Sequence, residues 1–380
     1  MDFRSLKTGT RVVVGVSGGV DSSVTALLLK EHGLDVQAIH MTNWDADDEY
    51  CSAAEDLQDA RDVCRILDIP LHHVNFADEY RQQVFTQFLS DYEAGRTPNP
   101  DVLCNREIKF GSFLDHARRL GGDWIATGHY AQVSHDGGRS KLRLAKDAHK
   151  DQTYFLHAVK QKALQKVLFP LGDLPKPEVR AIANAHGLPT REKKDSTGIC
   201  FIGERPFQEF LSRFLKAEQG PIMTLDGRQI GQHNGAVYFT IGQRKGLGIG
   251  GVRGASDQAW YVVGRSVEQN TVFAAQGDDH PALWGRNLLA SQPNWIAGHS
   301  PFDAVGNSLS LTARIRHGQQ PAACQVQAQP DKLLTVRFDT DQWAIAEGQY
   351  IVFYRDNTCL GGATIERAGQ AEQQAEPRIA

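Results

Sequence analysis

No two cysteines of this chain stand in a Cys-x-x-Cys pair. The six present in 380 residues, Cys51, Cys64, Cys104, Cys200, Cys324 and Cys359, are too scattered for a disulfide scaffold, a zinc ribbon or an iron–sulfur cage. They are read as reduced thiols, to be judged singly. No apolar run approaches the ~18 residues that a bilayer span requires, and the opening MDFRSLKTGTRVVVGV carries charge where a signal peptide is apolar. The expectation is a cytoplasmic protein without membrane attachment. A charge excess is missing too: 41 Lys/Arg against 45 Asp/Glu leave a formal net charge of −4, so any polyanion site must be a local patch. There is no internal repeat. With 41% apolar and 23% charged residues, 36 Gly and 15 Pro, collagenous, disordered and coiled-coil classes are excluded. At roughly 150 residues per domain the length predicts two or three domains.

Charge is unevenly placed. Residues 1–100 hold 17 Asp/Glu and 8 Lys/Arg, whereas Arg139 to Lys150 hold five Lys/Arg and one Asp, the first candidate basic patch. Apolar runs at Arg11–Val16, Val36–Met41, Leu71–Val74 and Trp124–Thr127 read as strands. They alternate with helical patterns at Val20–His32, Ser52–Leu67, Asp78–Glu93 and Phe113–Leu120. Such alternation predicts a parallel sheet covered on both faces, with ligands beyond the carboxyl ends of its strands. After about residue 205 short β-rich runs take over: Ala259–Gly264, Asn270–Ala275, Ser308–Ile315, Cys324–Val326, Leu333–Phe338 and Tyr350–Tyr354. The organisation expected is a Rossmann-like α/β domain over 1–205, a small central β-rich domain over 206–280, an antiparallel β-barrel over 281–368, and a fraying Gln/Glu/Ala-rich tail over 369–380.

Between the first strand and the first helix lies Ser17-Gly18-Gly19-Val20-Asp21-Ser22-Ser23. Glycines here let the backbone approach closely and converge its N–H groups, while a helix N-terminus and the hydroxyls of Ser17, Ser22 and Ser23 add donors for an anion. An ordinary strand–helix turn with Asp21 or Ser22 as cap is the plainer alternative. No lysine follows in G-x-x-x-x-G-K-[ST] spacing and no G-x-G-x-x-G occurs in this turn, which weakens P-loop and dinucleotide readings. S-G-G-V-D-S instead resembles the PP-loop of ATP pyrophosphatases, which release pyrophosphate while adenylylating a carbonyl-type oxygen.

Two cysteines have unusual surroundings. Asn99-Pro100-Asp101-Val102-Leu103-Cys104 reads as a helix start, with Asp101 as cap and Cys104 in the first turn; the helix end favours the thiolate and the nearby carboxylate opposes it. Cys200 lies in the Gly-flanked segment Asp195-Ser196-Thr197-Gly198-Ile199-Cys200. Either is equally compatible with a buried apolar thiol, the reading given to Cys64, Cys324 and Cys359. Cys51 is unassigned.

NPDVLCNREIKFG, GHYA at Gly128–Ala131, KDQTYFL at Lys150–Leu156, STGICFIGER and YFTIGQRKGLGIGG at Tyr238–Gly251 follow in this order. Together they resemble the tRNA-specific 2-thiouridylase family (MnmA or TrmU) over nearly the whole chain. The resemblance implies a PP-loop, adenine nucleotide alpha hydrolase-like catalytic domain and a tRNA-binding barrel. It implies a sulfurtransferase that adenylylates the wobble uridine and replaces its 2-oxygen with persulfide sulfur, releasing AMP and pyrophosphate. By the same resemblance Cys200 carries the persulfide, Cys104 is the partner nucleophile and Asp101 an acid/base. ATP is expected at Gly15, Val16, Ser17, Gly18, Gly19, Val20, Asp21 and Ser22, with Met41 and Gly128 nearer the adenosine. Mg²⁺ is expected on the phosphates, with Asp21 either helping to hold it or acting as a cap or a solvated carboxylate. Asn99, Pro100 and Asp101 are expected to line the pocket of an everted uridine. His129, Lys150, Asp151, Gln152, Arg316, His317 and Gln349 are expected to contact the anticodon stem-loop. The family often has an aromatic where His317 stands. The sulfur donor, a cysteine desulfurase or a relay protein, is not specified, and direct persulfide attack and released hydrosulfide both remain open. A PP-loop enzyme with a nitrogen nucleophile leaves the two cysteine motifs without a task. A non-catalytic ATP- and RNA-binding sensor would never release pyrophosphate.

Overall fold

The computed structural model describes residues 3–44, 53–136, 138–195 and 207–369. Strand β1 (Arg11–Gly15) leads through the glycine turn into helix α1 (Val20–Glu31), then β2 (Asp35–Thr42), α2 (Ala53–Leu67) and β3 (Leu71–Asn75). Helical segments from Ala77 to Glu93 and from Pro100 to Arg119 precede β4 (Trp124–Ala126), a hairpin of β5 (Gln132–Asp136) and β6 (Arg139–Arg143), and β7 (Val167–Leu168). The first sheet is parallel, in the order β3-β2-β1-β4-β7. Val12 and Val14 enter one apolar cluster and Val13 the opposite one, all fully buried, so β1 is covered on both faces. That explains why it reads as an unbroken apolar run rather than an alternating one. Neighbours β2 and β4 leave β1 in opposite directions along the sheet, which places the switch point, and the ligand crevice, at the carboxyl ends of β1 and β4.

The helix expected from Phe113 begins much earlier: Pro100–Leu103, a π-helical stretch Cys104–Ser112 and Phe113–Arg119 run on with right-handed helical backbone at the joints. Proline at the first helical position supplies the start. Asn99 is therefore the N-cap residue, Asp101 sits inside the first turn rather than capping it, and Cys104 lies just past that turn, where the field of the helix end has decayed.

Beyond residue 207 come β8 (Gly220–Met223), β9 (Gln229–His233), β10 (Trp260–Ser266) and β11 (Thr271–Gln276), forming a small sheet in the order β10-β11-β8-β9. The last six strands are β12 (Trp284–Trp295), β13 (Ser308–Arg314), β14 (Ala322–Ala328), β15 (Leu334–Trp343), β16 (Tyr350–Arg355) and β17 (Thr358–Ala368). Their pairing closes through β12–β17 into an antiparallel barrel around Leu288, Val326, Phe338, Ile351 and Ile365. The β5–β6 hairpin does not join the parallel sheet. It extends the barrel wall instead, with Arg143 opposite Thr358 and Leu142 opposite Cys359. Among the described residues no helix is long and apolar enough to cross a membrane.

Candidate active site

The turn after β1 is built for close approach. Gly18 has φ +80°, and a Cβ there would lie 2.4 Å from the Asp56 carbonyl oxygen of α2. A side chain at Gly128, after β4, would meet Ser22 N at 2.8 Å. Gly15 faces Met41 and Phe113, whose atoms lie 3.7 and 3.6 Å from its missing Cβ. Gly15, Met41, Gly128 and the turn thus come together at the carboxyl ends of β1, β2 and β4. Val16 N donates to Ile39 O at 2.9 Å and Val20 is buried at the start of α1.

Ser22 and Ser23 turn their hydroxyls inward, whereas Ser17 is exposed. Ser22 Oγ donates to Gly19 O at 3.1 Å and accepts from Ser17 N at 3.1 Å, while Ser23 Oγ donates to Gly19 O at 2.8 Å. They brace the turn from inside, because both side chains lie on the buried face of α1. Asp21 does not cap α1; its carboxylate, part-exposed, is held by two side chains. Lys176 Nζ reaches its two oxygens at 2.7 and 2.8 Å, and Tyr130 OH donates to Oδ1 at 2.8 Å. The same ammonium holds Asp195 Oδ1 at 2.7 Å, and Asp195 also receives Lys150 and Arg180. Burial alone would raise the Asp195 pKa, but the hydrogen bonds from Lys150 and Lys176 bring it down to about 2. Burial, and then the Asp21 charge, keep Tyr130 protonated.

Sequence reasoning missed Lys176, Arg180 and Asp195 as members of this cluster. Their only local signal is a lysine between two prolines, Pro175 and Pro177. It missed His40 as well, buried on β2 with Nδ1 3.0 Å from Val16 O.

A second group gathers around Asp101 and Cys104. Cys104 is fully buried. Asp101 Oδ1, three residues earlier on the same helical face, and Asn105 Oδ1, four residues after Asp101, are buried acceptors without a hydrogen-bond partner among the described residues. Asn105 Nδ2 donates to Phe155 O at 3.4 Å. All three parts of the chain fix the segment before this helix. Gln349 Nε2 donates to Thr97 O and Pro98 O at 3.0 and 3.2 Å, and its Oε1 accepts from Asn99 and Tyr154 at 3.4 Å. Arg265 of β10 donates to Gly95 O at 2.8 Å, and Arg96 pairs with Glu366 at 2.7 Å. Pro100 is buried.

The remaining candidates are distributed as follows. Gln152 Oε1 accepts from Tyr130 N at 2.8 Å. The Asp151 carboxylate is fully buried; it pairs with Arg314 at 2.8 Å and accepts from Ala145 N and Thr153 Oγ1, binding the first domain to the barrel. His129 is buried with Nδ1 2.8 Å from Thr127 Oγ1, and burial, then Lys109, hold its pKa well below the usual value. Arg316 donates to Ala344 O at 2.6 Å and stacks on Trp343, while His317 is exposed with its ring 4.5 Å from Phe155. Cys51 and Cys200 lie outside the described residues. No cluster of three metal-binding side chains exists among the described residues.

A family model described as a tRNA methyl transferase HUP domain matches residues 10–204, a tRNA methyl transferase PRC-barrel domain matches 208–276, and an aminomethyltransferase beta-barrel domain matches 285–365. The tRNA-specific 2-thiouridylase MnmA of Nitrosomonas eutropha is 53% identical over 358 residues, covering 94% of this chain and 98% of that protein. That of Stutzerimonas stutzeri is 54% identical over 361 residues, covering 94% and 95%. Among solved structures, the U34-tRNA thiolase NcsA of Methanococcus maripaludis superposes with a TM-score of 0.36 at 21% identity, over 52% of this chain and 62% of that one. With more than half its residues shared along 94% of its length, the chain belongs to the tRNA-specific 2-thiouridylase family.

Proposed function

We propose that this protein is a tRNA-uridine 2-sulfurtransferase that uses ATP to replace the 2-oxygen of the wobble uridine in the anticodon stem-loop with persulfide sulfur. The observation that carries the site assignment is the pair of unsatisfied buried acceptors, Asp101 Oδ1 and Asn105 Oδ1, beside Cys104. A buried acceptor without a donor costs about 1–3 kcal/mol, and an everted uridine brings an N3–H that fits one of them. A π-helical stretch at the same place is a frequent companion of functional sites.

A uridine C2 carbonyl lies between two nitrogens and is a poor electrophile. Attack of its oxygen on the α-phosphorus of ATP, the co-substrate, breaks the bond to pyrophosphate and turns that oxygen into a leaving group. The N–H groups of the Gly18–Gly19 turn and the α1 N-terminus hold the phosphates, with Gly15, Val16, Met41 and Gly128 shaping the rest of that site. Mg²⁺ would arrive on the phosphates. Asp21 does not fit as its ligand, since both its oxygens are engaged by Lys176 and one also by Tyr130. Asp101 acts as the acid/base toward the ring N3–H. The terminal sulfur of a Cys200 persulfide then forms the bond to C2 and AMP leaves with the oxygen. The Cys104 thiolate attacks the Cys200 sulfur, either on the C2-bound disulfide or beforehand to release hydrosulfide. Both routes end in a Cys104–Cys200 disulfide that an external thiol reduces. Cys200 is five residues beyond Asp195, a reach of at most ~18 Å from the ion cluster at the phosphate turn.

For the tRNA, Lys150, Gln152, Arg316 and His317 are the side chains that this reading assigns to the anticodon stem-loop. Asn99, Pro100 and Gln349 shape the uridine pocket, and the buried Asp151 and His129 position these loops rather than touch RNA. A persulfide-bearing cysteine desulfurase or relay protein loads Cys200. The test is purified protein with ATP, tRNA and a persulfide donor, with nucleosides analysed by mass. Cys200→Ser abolishes 2-thiouridine while ATP binding persists. Unchanged thiolation by that variant overturns the assignment.

A further inference from the structure

The pairing of the β5–β6 hairpin with the barrel creates a surface that belongs to neither domain alone. In the register of this sheet Arg355 of β16 stands opposite Thr358 of β17, Thr358 opposite Arg143 of β6, and Arg143 opposite Gln132 of β5. Directly opposed residues project to the same face, so Arg355 and Arg143 share it across about 10 Å. Along β6 the alternation puts Arg139, Lys141 and Arg143 outward and Ser140 and Leu142 inward, as their burial records, which spreads three cations over about 13 Å. All four are exposed, and none forms an ion pair among the described residues. Two further exposed lysines, Lys160 and Lys162, flank Gln161. Its amide bonds Ser140 N at 2.7 Å and Ser140 O at 2.9 Å, so their stretch of chain lies against β6. The acidic residues nearby are Asp136, opposite Arg139, Asp356 in the β16–β17 turn, and Asp173, which accepts from Gln132 Nε2 at 2.6 Å.

We infer that this composite face, Arg139, Lys141, Arg143 and Arg355, binds the phosphate backbone of the tRNA stem beyond the anticodon loop. The inference rests on the thiolation reading above. Three observations carry it. The four cations form no ion pair among the described residues, and three of them stand on alternate residues of one strand, so their charge is concentrated on one face. The other outward groups are Ser134 and Thr358, hydroxyls that donate to phosphate and sugar, and Gln132, whose amide is held by Asp173; the face has no apolar centre of the kind a protein partner would bury. Finally, the chain runs directly from Arg143 to Ala145–Gln152 at the candidate site, so RNA seated in that crevice can continue onto this wall.

The test compares the wild-type chain with the Arg139→Gln/Lys141→Gln/Arg143→Gln variant and with Arg355→Gln. Equilibrium binding of full-length tRNA, without ATP, is measured from 50 to 200 mM salt. The slope of log affinity against log salt should shrink by about 2–3 for the triple variant and about 1 for Arg355→Gln. KM for tRNA should rise at least tenfold for the triple variant with kcat kept, and a short anticodon stem-loop should lose less than the full tRNA. All four side chains are exposed, so matching thermal midpoints are the check on folding. Unchanged slopes overturn the proposal. So does normal tRNA binding with slowed sulfur loading of Cys200, which would assign the face to an acidic donor protein. Because binding is read without ATP or sulfur, failure here is distinct from a wild-type chain that makes no thiouridine.

Discussion

Lys176 and Asp21, 155 residues apart, share two hydrogen bonds of 2.7 and 2.8 Å at the first turn of α1. The lysine side chain is 10% exposed and also holds Asp195, so one ammonium neutralises two carboxylates at the mouth of the phosphate turn. An unpaired pair of carboxylates there would repel a polyphosphate.

Replacing Lys176 with Met should therefore harm nucleotide use more than folding. Stability is expected to fall by about 1–3 kcal/mol, less than for a fully buried pair because Asp21 and Asp195 keep partial contact with water. ATP-dependent thiolation should fall at least tenfold. Adding Asp21→Asn to Lys176→Met should restore part of the stability, since it removes an orphaned charge. Urea unfolding and single-turnover assays give both readings; additive losses in the double variant would contradict the pairing.

The second prediction concerns acid. Asp195, with a pKa of about 2 in the folded chain against 3.8 when unfolded, adds stability that is complete above about pH 4 and disappears as pH falls toward 2. Allowing for screening of a partly exposed group, it is worth about 1–2 kcal/mol. Asp195→Asn should be less stable than wild type by that amount at pH 6, and the gap should close on acidification. A gap that widens toward pH 2 would reverse the sign of the argument.

A third prediction runs through the opposite kind of group. His157 is buried where the first domain meets the barrel, its Nδ1 2.6 Å from Tyr154 O and its ring 4.9 Å from that of Tyr350. Burial lowers its pKa from 6.5 to about 4. Above pH 6.5 both folded and unfolded forms are neutral and nothing is gained or lost. Between 6.5 and 4 the unfolded chain takes up a proton that the folded one refuses, so stability should fall by up to ~3 kcal/mol. His157→Asn should flatten denaturation midpoints over this window, even if its stability at pH 8 is lower.

The unit of β1, turn and α1 is legible in the sequence because everything that makes it is local: three valines buried on two faces, glycines at a close approach, and helix formers after them. The expected Arg11–Val16 and Val20–His32 differ from the observed Arg11–Gly15 and Val20–Glu31 by one residue each. What escapes a reading of the chain is non-local. Nothing near Arg139 announces that its strand will pair with β17 more than 200 residues later, because an edge hairpin reads the same whichever sheet it joins. Lys176 likewise looks like any lysine in the first turn of a helix until Asp21 and Asp195 are brought to it. Asp101 does not cap for a local reason: proline fixes the first helical position, and that makes Asn99 the boundary.

The last prediction uses the barrel to disturb the cysteine helix. Gly348 has φ +86°, and a Cβ there would lie 2.7 Å from Thr97 N and 2.7 Å from Arg96 Cβ. Thr97 N donates to Glu347 O at 2.7 Å, and Gln349 holds Thr97, Pro98 and Asn99 from the next residue. Gly348→Ala must both strain its own backbone and push residues 96–99 away, which moves Pro100 and Asp101 with them. Stability is expected to fall by about 1–3 kcal/mol, within the range of a strained φ and a backbone clash. Activity with tRNA should fall more than that loss explains, because Asp101 and Cys104 would leave the productive geometry, while ATP binding, set by β1, β4 and α1, should stay within about twofold. Isothermal titration with a non-hydrolysable ATP analogue, alongside thiouridine formation under conditions where the variant is fully folded, separates the two. Equal loss of both would mean that the barrel contact merely supports the fold and does not aim the helix.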